Sequence, residues 1–322
     1  MKWLVTGGCG FIGRALISNL LAEGGHQIRV FDNLSTGNAS DLAKIAPFTE
    51  TSDWTHTLSL IIGDIRNATE AKAACEDVEV VVHLAANTGV AQSVEDPIND
   101  CHTNVIGVLN MLEACRAAKA RRFIFASSGA PLGMQTPPLH EELAPHPASP
   151  YGASKLGGEG YCSAYFHCYG VESVALRFGN VYGEGSDLKG SIVAKFIKQA
   201  LAGEALEIYG DGTQTRDFIH ISDLVRAIRA CATAPGIGGE TFQIANSTET
   251  TVLEMTRMLL SQMKAEGMHL PDVYHGALRD GDMMRNFSDT SKARERLGWQ
   301  AEVSLAEGLQ RTVRYFLANK AA

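Results

Sequence analysis

Residues 1–20 read MKWLVTGGCGFIGRALISNL, and the meaning of this stretch decides the fold. Lys2 ahead of apolar residues resembles the start of a secretory leader, but Thr6-Gly7-Gly8 interrupts the apolar run far too early for one. A strand over Lys2–Val5 is expected instead, followed by a turn through Gly7, Gly10 and Gly13 and a helix starting near Phe11. Glycines at that junction let a backbone approach a pyrophosphate closely, and the helix N-terminus adds N–H donors and a positive dipole end.

A second observation strengthens this reading. The stretch RVFDNLS ends a second strand on Asp32, 19 residues after Gly13, where a carboxylate accepts from an adenosine ribose hydroxyl. The same carboxylate repels a 2′-phosphate, so NAD is the expected cofactor rather than NADP. Asp64 in IIGDIRN follows the third strand within reach of an adenine. Ala85 and Ala86 in VVHLAAN leave room where the fourth strand passes the cofactor. His83 in that run is read as a strand-end histidine with its hydrogen bonds met, rather than as a ligand or base.

Further along, WLVT, IRVFD, LSLIIGD, VEVVVHLAA, RRFIFASS and VESVALRF alternate with helix patterns such as NVIGVLNMLEACRAAKA. Near-continuous apolar runs fit parallel strands covered on both faces, hence an α/β doubly wound sheet. Six of the ten prolines fall between Pro131 and Pro150, which makes that stretch an extended loop. Beyond residue 180, Thr251–Glu254 and Ser304–Glu307 read as capping boxes and Ser222-Asp223 as a helix start. The expected organisation is a cofactor domain over 1–180 and a smaller, partly interleaved C-terminal α/β substrate domain over 181–322.

With 322 residues, 45% of them hydrophobic, the chain can bury a large core. No apolar run nears the roughly 18 residues of a membrane span. A formal net charge of −8 argues against nucleic acid or anionic lipid as a partner. Seven cysteines without a CxxC pair read as free thiols of a reducing cytoplasm, and no metal site is expected.

The chemistry is carried by ASPYGASKLGGEG. Ser149 as N-cap and Pro150 at the first position open a helix, on which Tyr151 and Lys155 share one face. A free tyrosine, with a pKa of about 10, is a poor base at neutral pH. The Lys155 ammonium and the positive ring of NAD+ favour the phenolate, so Tyr151 is expected to accept a hydroxyl proton while hydride leaves the same carbon.

The set TGGCGFIG, FDNLS, GDIRN, HLAAN, YGASK and RDFIH resembles the extended short-chain dehydrogenase/reductase superfamily. Within it the chain is most similar to NAD-dependent nucleotide-sugar epimerases of the UDP-glucose 4-epimerase type. The resemblance runs through LRDGDMMRNFSDTSKARERLGW near the C-terminus. It implies a Rossmann-type cofactor domain and a contribution to NAD binding from Phe11, Ile12, Asn33, Ile65, Leu84 and Asn104. The hydroxyl partner of Tyr151 falls on Ser128 in FASSGAPLG, with Ser127 as the near alternative. Asn180 and Arg216 match the family's diphosphate ligands, as does Arg279, and Asp282 matches a ribose ligand; arginine forks suit such oxygens. The resemblance also implies a homodimer joined through helices near 103–119 and 151–169.

Several departures carry information. Pro131-Leu132-Gly133 replaces a Val-Tyr-Gly ending, and Thr88 stands where some galactose epimerases carry a lysine. Gly129 and Ala130 occupy positions where 4,6-dehydratases carry an acidic pair, and decarboxylases place a glutamate in this segment. Asn286 lies where family members select for or against N-acetyl groups. Lys189 is either a partner for a hexuronate carboxylate or a solvated loop lysine. The expected activity is 4-epimerisation of a UDP-hexose or UDP-hexuronate through a transient 4-keto sugar. A related reductase, an epimerase at another carbon, and a redox sensor that kept the fold are the rival readings.

Overall fold

The computed structural model describes residues 1–188, 190–278 and 283–320. Seven strands form in chain order before residue 180: β1 (Lys2–Thr6), β2 (Gln27–Asp32), β3 (Thr49–Glu50), β4 (Leu58–Ile62), β5 (Val80–His83), β6 (Arg122–Ser128) and β7 (Ser173–Phe178). The helices among them are α1 (Phe11–Glu23), α2 (Ala39–Ala43), α3 (Ala68–Ala74), α4 (Val90–Glu95), α5 (Pro97–Cys101), α6 (Gly107–Ala118) and α7 (Pro150–Tyr169). A π-helical turn over His102–Ile106 joins α5 to α6. Later strands are β8 (Asn180–Tyr182), β9 (Leu206–Tyr209), β10 (Thr215–Arg216), β11 (Phe218–His220), β12 (Thr241–Ile244), β13 (Thr250–Thr251) and β14 (Val273–Gly276). Helices α8 (Ile192–Ala202), α9 (Ile221–Thr233), α10 (Val252–Ala265), α11 (Ser291–Leu297) and α12 (Leu305–Lys320) complete the described elements.

Eight strands make one parallel sheet in the order β12-β7-β6-β5-β1-β2-β4-β3. The strand order reverses between β1 and β5, so the crevice above their C-terminal ends is the ligand position of a doubly wound sheet. The strands are apolar on both faces because helices cover both. Trp3 and Val5 join a core with Leu16, Ile17 and Leu20 of α1 and Leu224 and Ile228 of α9. Leu4, Val81, Phe123 and Phe125 point the other way, into a core shared with α3, α6 and α7. A third core beyond residue 180 gathers Phe196, Ile197, Leu206, Met255, Leu259, Val313 and Phe316.

The chain after residue 180 returns to the large sheet. Strand β12 adds to its edge beside β7, pairing Thr241–Ile244 with Ala175–Phe178. The sequence reading found six strands and missed this one, together with the two-residue β3. Thr251 and Glu254 form the expected capping box on α10. At α9 the cap is His220 rather than Ser222: its ring accepts from the Ser222 N–H. Among the described residues, no helix is long and apolar enough to cross a membrane.

Candidate active site

The turn after β1 is shaped by what its glycines allow. Gly7 sits at φ +66°, and a Cβ there would lie 2.8 Å from the Ala85 nitrogen. A Cβ on Gly13 would lie 2.5 Å from the Gly8 Cα, which would prevent the turn from closing onto α1. Helix α1 opens on Gly10 with no side-chain cap, leaving Phe11, Ile12 and Gly13 as a bare first turn. Beside it, Asp32 accepts from the backbone N–H of Cys9 at 2.9 Å and of Leu34 at 2.8 Å. A carboxylate has about four acceptor positions, so capacity for a ribose hydroxyl remains. A side-chain-free cradle, an uncapped helix start and a carboxylate on the next strand fit a dinucleotide. Cys9 is a buried free thiol, and burial and the Asp32 charge push it up to about 12.

The remaining cofactor candidates differ in what they present. Asp64 is held in a fork by Arg66, with Nη2 at 2.7 Å and Nε at 3.0 Å, and it also accepts from Asn33 at 3.2 Å. The Arg66 hydrogen bonds, outweighing burial, hold its carboxyl near 2. The sequence reading did not pair these two residues. The side chain of Ile65 is buried in the second core, beneath Gly107. Leu84 packs against the first core, and the Ala85 N–H donates to Thr6 Oγ1 at 3.1 Å. Ala86 follows at the end of β5, half-buried. His83 is buried with Nδ1 at 2.8 Å from Thr6 Oγ1; burial and the Lys155 charge push its ring down to about 3, so it is neutral. Asn104 is engaged by the protein: its Oδ1 accepts from the Asn87 N–H, and its two amide hydrogens are shared among the Asn87 carbonyl, Asp100 Oδ1 and Ser154 Oγ. Its place in the structure is a brace within the π-turn, a conformation frequent at functional sites.

Helix α7 opens as the sequence requires, with Ser149 Oγ accepting from the Gly152 N–H and Pro150 at the first position. It lays Tyr151 and Lys155 over the end of β6. The Tyr151 phenol faces Ser128, while the ammonium of Lys155 donates to the Ala126 carbonyl at 2.8 Å. Ser127 is turned into the core, donating to Glu159 Oε1 at 2.5 Å. Of the two serines, only Ser128 faces the phenol.

The electrostatics correct one expectation. The chain's own groups raise the Tyr151 pKa: burial is the main cause, the nearby Ser128 hydroxyl opposes it, and the Asp100 charge adds to it. Burial also pushes Lys155 down to about 8, against Asp100 and Glu159, whose charges favour the ammonium. Glu159, one helical turn beyond Lys155, accepts a bidentate fork from Arg177 at 2.9 and 2.7 Å. The sequence reading missed Glu159, although the 151, 155, 159 spacing on one helix face was there to find.

On the substrate side, Asn180 opens β8 with its side chain exposed, and its N–H donates to the Asp217 carbonyl. Arg216 on β10 is half-buried and donates to the carbonyls of Thr215 and Met283. Asn286 is half-buried and donates its N–H to Thr215 Oγ1 at 3.1 Å. Asp217 pins the same segment through Ser288 N–H at 3.1 Å and the 246–248 turn through Asn246 N–H at 2.7 Å. Arg279, Asp282 and Lys189 lie outside the described residues. Among the described residues, no group of three or more His, Cys, Asp or Glu could hold a metal ion.

A parallel sheet with a glycine cradle at its switch point and a Tyr-x-x-x-Lys helix beside a serine defines a Rossmann-type, dinucleotide-dependent class of fold. The chain belongs to the NAD dependent epimerase/dehydratase family, whose model matches residues 3–245. A UDP-glucose 4-epimerase of Mycolicibacterium smegmatis is 37% identical over 98% of both chains. The UDP-glucose 4-epimerase of Thermotoga maritima, solved with UDP-glucose, superposes with a TM-score of 0.88 at 34% identity, covering 99% of this chain and 100% of that one. A dTDP-glucose 4,6-dehydratase of Streptomyces niveus is 30% identical over 100% of this chain and 94% of its own, so likeness spans more than one reaction. The cofactor of the family is NAD, and the cradle described above suits it.

Proposed function

We propose that the protein is a nucleotide-sugar 4-epimerase acting on a UDP-hexose or UDP-hexuronate with tightly bound NAD. The observation that carries this reading is the Tyr151 phenol set beside Ser128 with the buried Lys155 ammonium 5.9 Å from its ring centre, at a site where the residues after Ser128 are Gly129 and Ala130. Elimination or decarboxylation needs a further acid or base at the sugar, and neither residue offers one. NAD, when bound, supplies the acceptor and donor of hydride for the sugar carbon. Tyr151 takes the C4 hydroxyl proton and returns it, while Ser128 holds the hydroxyl in line. Lys155 stabilises the phenolate that is present before the proton is taken and again once it has been returned. The sugar passes through a 4-keto form, and turning about its diphosphate linkage exposes its other face. Asn180 and Arg216 anchor the diphosphate during the turn. No net oxidation occurs, so no external reductant is consumed.

The reading includes a cytoplasmic homodimer joined through the helical stretch from the π-turn into α6 and through α7, where Ile106, Tyr161 and Tyr169 are exposed. The test is to incubate purified protein, without added NAD, with UDP-glucose, UDP-N-acetylglucosamine and UDP-glucuronate and to read the products by proton NMR. Inversion at C4 of at least one sugar is expected. Loss of water or carbon dioxide, inversion at another carbon, or no conversion contradicts it.

A further inference from the structure

Arg14 follows Gly13 of the cradle directly, and its side chain is only 10% exposed. Its Nη2 donates to the Gly185 carbonyl at 2.9 Å and lies 3.6 Å from Asp187 Oδ2. Its Nη1 lies 3.9 Å from Asp41 Oδ2 on α2, the short helix after the Asp32 strand. A guanidinium is costly to bury, and an apolar side chain would fill the same space. What the cation adds is a tie between α1 and two segments far from it in sequence.

The 183–187 segment continues from β8, whose first residue is Asn180, and the C-terminal chain holds it firmly. Glu184 accepts from Arg311 Nε at 2.9 Å and lies 3.0 Å from His220 Nε2. Asp187 Oδ1 accepts from the Tyr315 phenol at 2.8 Å, and the Asp187 carbonyl accepts from Lys198 at 3.0 Å. The Gly185 backbone lies against the bare first turn of α1, since a Cβ there would be 3.6 Å from Phe11 Cδ2. The loop entering α2 is seated on the cradle as well: a Cβ on Gly37 would lie 2.3 Å from the Cys9 carbonyl. The start of α1, where a cofactor's diphosphate would sit, is thus flanked by two segments, and Arg14 reaches both.

We propose that Arg14 is a positioning residue for the cofactor: it holds the 183–187 segment and α2 against the cradle and so slows the escape of NAD. The proposal rests on NAD in the cradle, whichever reaction follows there.

The test loads the full-length protein with radiolabelled NAD, adds excess unlabelled NAD and follows the label that stays on the protein, with no sugar nucleotide present. Arg14→Met keeps a similar stem, removes the guanidinium, and should speed NAD release by about 10-fold. Tyr315→Phe loosens Asp187 without touching α1 and should speed release by about 3-fold. Arg229→Met is the control. Arg229 donates to Asn19 at 2.8 Å and pairs with Glu23, so it ties α9 to the far end of α1. Its loss should lower thermal stability and leave NAD release within about 2-fold of wild type. Should Arg14→Met fail to fold, Asp187→Asn is read in its place, with faster release expected. Equal release from wild type and Arg14→Met, or as large a rise in Arg229→Met, overturns the proposal. Faster release from Arg14→Met in a protein that converts no sugar nucleotide supports it while removing the epimerase reading.

Discussion

Ser127 and Ser128 are neighbours on β6 with opposite allegiances: Ser127 donates to the buried Glu159 at 2.5 Å, while Ser128 faces the Tyr151 phenol. Successive side chains on a strand face opposite sides of the sheet, so one serine belongs to the core and the other to the crevice. The two alanine variants should therefore separate. Ser128→Ala should lower kcat by roughly 10²-fold with thermal stability little changed. Ser127→Ala should leave kcat within a few-fold and lower stability by about 1–3 kcal/mol, measured by urea denaturation.

The Glu159–Arg177 pair beneath the site is buried on both sides, with side-chain exposures of 6% and 5%. Removing one partner leaves the other charge uncompensated in the core. Glu159→Ala should destabilise the fold by roughly 3–5 kcal/mol. Denaturant titration checks this, and a loss below 1 kcal/mol would mean that water reaches Arg177.

Lys155 gives the pH dependence two opposite signs. Its folded-state pKa is about 8 against 10.5 for an unperturbed lysine, because burial disfavours the ammonium. Between those values the folded protein holds fewer protons than the unfolded chain, so this group's contribution to stability rises with pH across that window. Below about 8 its burial cost is fully present. Turnover should instead fall above about pH 8, as the ammonium beside Tyr151 is lost. A series of kcat values measured alongside chemical denaturation should show the two curves diverging through this range.

The cradle and the Tyr-Lys helix were legible in the sequence because each is local. Gly7, Gly13, Asp32, Ser149, Pro150, Tyr151 and Lys155 sit where spacing alone puts them, and the fold obeys that spacing. Strand β12 was not legible, since the four residues Thr241–Ile244 become a sheet edge only when β7 lies beside them. Asp100 is similar: nothing near it in sequence shows that Asn104, four residues on, turns one oxygen inward and leaves the other bare. The upward push of burial on Tyr151 was not legible for the same reason, because burial is a property of the assembled sheet and helix.

The central claim is that the Tyr151 phenol carries the proton in a site where NAD is already seated. The most direct measurement is the Tyr151→Phe variant, with turnover followed on whichever UDP-sugar the wild type converts and bound NAD quantified in the same preparation. Turnover lower by roughly 10²–10⁴-fold with NAD content unchanged is the predicted result. A rate equal to wild type would contradict the account.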